Sequence, residues 1–165
     1  MNNNLSLPLF NQNAERSETT ASVPLYSVRL VRESSITFIH PAITRCDIAY
    51  DFFCKIGLQD KASEEFYALY LDTKNKIIGL EMISRGTLNA SLVHPREVFK
   101  GAFLANANSI MLAHNHPSGN TEPSSADKLV TSRLVKAGKL LDLQVLDHII
   151  VGDKGYYSFR ESGLI

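Results

Sequence analysis

The hydrophobic pattern changes period several times along the chain, and each change marks an element. Apolar and polar residues alternate over 25–34 (LYSVRLVRES), the pattern of a half-covered strand, so an edge strand is expected there. Residues 41–57 then place Ile43, Cys46, Ala49, Tyr50 and Phe53 at helical spacing, with Gly57 set to end the helix. The stretch 64–84 reads as two strands around a turn at 72–75, and 86–93 (GTLNASLV) as a third strand. Pro95 suits a first helical turn, and 95–107 is expected to be helical. The run SIMLAH at 109–114 is short and mostly apolar, which fits a central strand. A helix over 124–141 with Ser124 as N-cap, a β-branched strand over 143–152 and a last short strand over 155–159 complete the series. Strands interleaved with helices in this order predict an α/β (α+β) domain: a mixed sheet flanked by helices.

Residues 1–23 break the pattern. They are rich in Asn, Ser, Thr and Glu without sustained periodicity, and are expected to form a flexible tail before a domain spanning 24–165. The 165-residue length allows a core that needs no staples, and the formal net charge of +0 gives no basic excess for gripping phosphates. Nucleic acid is therefore not favoured as a partner. The two cysteines, Cys46 and Cys54, lie in one helical stretch without a CxxC, and buried free thiols are expected. There is no apolar run of about 18 residues and no signal-peptide pattern, so no membrane span is expected and a cytoplasmic setting is the default.

The chemistry concentrates in AHNHPSGNTEPSSADKL, residues 113–129. If the strand ends near His116, His114 and His116 point to the same face and can meet one ion. Pro117, Gly119 and Pro123 can turn the chain back, bringing Asp127 to the same place from the first turn of the next helix. Two histidines and a carboxylate make a three-ligand zinc centre with an open fourth position, the pattern of a catalytic site. A water held there needs a base, and Glu64, Glu65, Glu81, Glu97 and Glu122 are the candidates. Glu64 and Glu65 start a core strand, which holds a carboxylate more rigidly than a loop does. The bland alternative has equal weight on spacing alone. Ser124 to Asp127 is S-x-x-D, a capping-box pattern, and HPSG is ordinary turn chemistry.

The full spacing is His114-x-His116, seven residues, Ser124, two residues, Asp127, and it resembles the JAMM (MPN+/JAB) metalloprotease signature. With HPREVFKGAFLANA before it and LDHIIVG and YYSF after it, the stretch from Ser34 to Ile165 is similar to the RadC family. The resemblance implies the JAB/MPN fold, which is cytidine-deaminase-like, with one zinc ion per chain. It implies His114, His116 and Asp127 as metal ligands. It also implies Ser124 as the residue that stabilises an oxyanion, and Glu64, from E-x-F at a strand start, as the general base. Glu65 is the fallback, since one residue of register reverses the face. The activity implied is hydrolysis of a peptide or isopeptide-linked protein substrate. A DNA-repair-associated binding module without hydrolase activity and an inert scaffold are the alternatives. The helix-hairpin-helix segment common in RadC-like proteins is not expected, because the region before Ser34 is short and contains no glycine. Cytidine deamination itself is set aside, since H-x-E with P-C-x-x-C is missing.

Other polar residues carry weaker expectations. His148 either orients a ligand or is a satisfied strand histidine. Asp147 either accepts from a ligating imidazole or serves a strand end. Asn115 should point away from the two histidines, and Ser118 should brace the loop backbone. His94 and His40 precede prolines and are expected to be structural or solvent-facing. Glu97 suits the helix dipole, while Lys100, Lys128, Arg133, Lys136 and Lys139 read as a solvated helix face.

Overall fold

A computed structural model describes residues 22–86 and 93–165. The central strand is β3 (Ser109–Asn115), buried at every position. β1 (Glu65–Leu71) pairs with it antiparallel, and β2 (Ile77–Arg85) pairs antiparallel with β1. On the other side β4 (Gln144–Gly152) runs parallel to β3, and β5 (Gly155–Ser158) closes the edge antiparallel to β4. The sheet order is β2-β1-β3-β4-β5, mixed as the sequence predicts.

Alternation along the strands feeds two cores. Ile110 and Leu112 of β3 join Phe66 and Ala68 of β1 under two helices, α2 (Pro95–Leu104) and α3 (Ser125–Leu140). Met111 and Ala113 face the other way, with Leu69, Leu71, Ile149 and Val151, under α1 (Cys46–Lys55). Each fully buried leucine or phenylalanine in these layers contributes roughly 1.5–3 kcal/mol relative to exposure. The parity of β3 then decides where the polar residues at its end go. His114 continues the face covered by α2 and α3, while Asn115 takes the opposite face.

Several boundaries differ from the sequence expectation, each for a local reason. Residues 25–34 form no strand. They find no ladder partner, and Leu25, Tyr26, Val28 and Val31 are exposed. α1 starts only at Cys46, because Ala42 forms a bridge with Lys76 and Ile43 N–H donates to Asn75 C=O. α2 ends at Leu104, ahead of Asn106 with φ 52°. The expected strand at 86–93 falls mainly on 87–92, and the tail at 1–23 mainly on 1–21, both outside the described residues. The turn at 72–75 is present, with Asp72 Oδ1 accepting from Lys74 and Lys76 N–H. Among the described residues no helix is long and apolar enough to cross a membrane.

Candidate metal centre

The chain from β3 into α3 brings three lone-pair donors together. His114 Nε2 lies 3.0 Å from His116 Nε2 and 3.4 Å from Asp127 Oδ1, and His116 Nε2 lies 3.5 Å from Asp127 Oδ2. Zinc bonded tetrahedrally at about 2.0–2.1 Å separates its ligands by about 3.3 Å. The observed spacings lie near that value, with the two distances to Asp127 running to its two different oxygens, and one ligand atom from each residue lies within 4.8 Å of the others, so the group could hold one metal ion. His114 is the buried floor of the site, Asp127 is 3% exposed and His116 forms the rim.

Each donor is held by its local structure. His116 follows the end of β3. Its N–H donates to Val151 C=O, and its Nδ1–H donates to Asn120 C=O at 2.6 Å, which leaves Nε2 toward the cluster. The loop beyond it turns at Gly119, whose φ of +77° is a left-handed conformation. It then packs against β4 at Gly152, where a Cβ would lie 2.4 Å from Gly119 C=O. Ser118 Oγ accepts from Asn120 N–H, the loop-bracing role expected for it.

Asp127 reaches the cluster from the third position of α3. The capping box is present in full: Asp127 N–H donates to Ser124 Oγ, and Ser124 N–H donates to Asp127 Oδ2 at 2.7 Å. Ser124 Oγ–H also donates to Oδ2, at 2.6 Å. The capping box and the gathering of the three donor side chains therefore coexist. The cap orients the carboxylate, and its oxygens face the histidines.

The electrostatics follow from burial and from the cluster itself. Burial opposes the charge on Asp127. His116, His114 and the Ser124 donors outweigh it and hold the carboxyl well below the usual range. The Asp127 carboxylate raises His116 above the ordinary imidazole value. Burial drives His114 well down, reinforced by neighbouring His148, and pushes His148 down to about 3.

An open cavity of about 250 Å³ lies over the cluster, lined by Glu64, His116, Pro117, Ser118, Ser124 and Asp127. Of the five glutamates considered, Glu64 lines it. Glu65 turns away and is taken by Arg85 Nε at 2.8 Å and by Tyr67 O–H at 2.8 Å. Glu81 on β2 accepts from the O–H of Tyr70 on β1, Glu97 pairs with Lys100 and Arg96 on α2, and Glu122 is exposed in the loop.

Asn115 is a contributor whose role the sequence does not reveal. Its side chain donates to Lys61 C=O and Ser63 C=O, both at 3.1 Å, and accepts from Glu65 N–H at 2.8 Å. It thus pins the backbone on both sides of Glu64. Its position between the two histidines hints only at the direction it takes.

Asp147 stands within β4 rather than at a strand end. It accepts from Ser158 O–H, Cys46 S–H, and the N–H groups of His148 and Arg160, and so staples β5 and α1 to β4. Cys46 and Cys54 are free, and half-buried rather than buried. His94 caps α2, with Nδ1 accepting from Arg96 N–H.

Fold and cluster together define a JAB-type domain whose central strand and following helix converge on a possible metal centre. The chain belongs to the RadC-like JAB domain family, whose model matches residues 43–164. It is similar to a UPF0758 protein of Pelodictyon phaeoclathratiforme, 54% identical over 106 residues, which are 64% of this chain and 48% of the relative. A UPF0758 protein of Finegoldia magna is 57% identical over 116 residues, 70% of this chain and 51% of the relative. One of Methanosarcina acetivorans is 51% identical over 108 residues, 66% of this chain and 47% of the relative. The chain thus matches about half the length of these curated relatives.

Proposed function

We propose that this chain is a zinc-dependent hydrolase of amide bonds, acting on peptide or isopeptide-linked substrates. The supporting observation is that the carboxylate of Glu64, the residue immediately before β1, shares one cavity wall with His116, Ser124 and Asp127. His114 and His116 would hold the ion through Nε2, and Asp127 through a carboxylate oxygen. Bound zinc supplies Lewis acidity and lowers the pKa of a water in its open position. Glu64 accepts a proton from the attacking water and delivers it to the departing nitrogen, so the amine leaves neutral. Ser124 Oγ donates to the carbonyl oxygen as that oxygen gains charge. Its hydrogen rests on Asp127 Oδ2, so this donation needs only a rotation about Cβ–Oγ.

The test pairs metal analysis with turnover of a quenched-fluorescent peptide and isopeptide library. Wild type should carry about one zinc per chain and cleave library members, consistent with an open three-ligand site. Glu64→Gln should keep the zinc and lose cleavage by 10²-fold or more, on the order of a general-base contribution. Full activity in Glu64→Gln would remove Glu64 from the mechanism. Failure of wild type to take up zinc under loading would overturn the reading.

A further inference from the structure

Behind the candidate ligands lies a second row of polar side chains that the hydrolytic scheme does not use. His114 Nδ1 is 2.8 Å from His148 Nε2, and His148 Nδ1 is 2.6 Å from Thr131 Oγ1. Thr131 Oγ1 in turn lies 2.6 Å from the backbone carbonyl of Asp127. His114 and His148 are 0% exposed and Thr131 is 1% exposed, so water cannot substitute for any of these partners.

The hydrogens in this row can be assigned from one end. A carbonyl only accepts, so the Thr131 hydroxyl hydrogen goes to Asp127 C=O. Thr131 Oγ1 therefore meets His148 as an acceptor, and the hydrogen between them belongs to His148 Nδ1. A buried neutral imidazole carries one N–H, which leaves His148 Nε2 bare. The bare nitrogen accepts from His114 Nδ1–H. The last step fixes His114 with a bare Nε2, facing His116 and Asp127.

We infer that Thr131 and His148 are positioning residues: their hydrogen bonds set the tautomer and ring orientation of His114 so that its Nε2 lone pair faces the cluster. The row also ties its two ends together. It starts at the backbone carbonyl of Asp127 and finishes 3.4 Å from the carboxylate of the same residue. Local geometry explains the sequence spacing. A helical threonine bonds readily to the carbonyl one turn back, and Thr131 stands one turn after Asp127 in α3. His148 stands opposite Leu112 in the parallel register, beside the strand that carries His114. Phe66 and Phe159 flank the His148 ring, with Phe159 stacked at 4.9 Å, which prevents it from turning out of line.

The assignment is read by long-range ¹H–¹⁵N correlation spectra of the imidazoles in the metal-free full chain at about pH 7.5, where such buried rings are neutral. Both His114 and His148 should show hydrogen on Nδ1. Thr131→Val, which keeps the shape and removes the hydroxyl, should lose the single tautomer and weaken zinc binding by about 10–100-fold in competition with a chromophoric chelator. Thr131→Ser should restore both. His148→Gln, which keeps an acceptor toward His114, should hold zinc more tightly than His148→Leu. The backbone amide spectrum shows whether each variant is folded. Hydrogen on Nε2 of His114 in wild type overturns the inference, as does an unchanged tautomer in folded Thr131→Val. The tautomer readout needs no metal. A chain with both Nδ1 hydrogens but no zinc uptake would defeat the hydrolase reading and leave the relay intact.

Discussion

Ser124 and Asp127 share three hydrogen bonds, and the carboxylate they fix is the one that faces both histidines. Cap and ligand set are therefore separable by mutation. Ser124→Ala removes the hydroxyl that caps Asp127 N–H and should cost about 1 kcal/mol of stability. It leaves the three candidate ligands in place, so zinc should remain. Asp127→Asn keeps a capping oxygen but loses the charge, and should cost less stability while abolishing stoichiometric zinc. Urea titration beside elemental analysis distinguishes the two. Equal zinc loss in both variants would mean that the cap alone builds the cluster.

Asn115 offers a test of how Glu64 is held. Asn115→Ala leaves the buried Glu65 N–H unpaired and removes the bonds to the more accessible carbonyls of Lys61 and Ser63, and should cost about 1–3 kcal/mol. Zinc content should be retained, because His114 and His116 leave the strand on other bonds. Hydrogen exchange should speed up over residues 61–65 well beyond the change elsewhere. A uniform increase across the sheet would show that Asn115 supports the whole fold rather than this segment.

Acid should destabilise the metal-free protein before the carboxylates titrate. His148 moves from an ordinary 6.5 down to about 3 on folding, and burial is the cause. Between those values the unfolded chain binds more protons than the folded one. The His148 contribution is therefore full above about pH 6.5 and is lost as pH falls, at a limiting slope of about 1.4 kcal/mol per pH unit. His114 is shifted in the same direction and adds to the loss. His116 is shifted up, so its contribution is present in acid and disappears as pH rises through its folded value, a partial offset. Urea midpoints in chelator from about pH 7.5 to 5 should fall with pH. A rise would show that His114 and His148 are not buried as a neutral pair.

How far the sequence reveals this molecule depends on whether the signal is local. The β3 run, the Pro95 helix start and the Ser124 cap are written in consecutive residues, and the structure has them where the pattern puts them. The convergence of His114, His116 and Asp127 is equally readable, because a single strand–loop–helix stretch contains all three. Residues 25–34 mislead because alternation specifies a face, not a neighbour. Asn115, Asp147 and His148 are hard to read for a related reason. Their partners lie at Lys61 to Glu65, at Cys46 and Ser158, and at His114 and Thr131, which meet only through sheet register.

The parallel pairing of β3 with β4 divides the work of building the cluster between two stretches of chain. The candidate ligands all belong to the β3–α3 unit, and closing a loop that short costs little chain entropy. His148, 2.8 Å from His114 Nδ1, arrives from outside that unit, on β4. Gathering the three donors is thus a local matter, while the neighbour behind His114 depends on the sheet being complete.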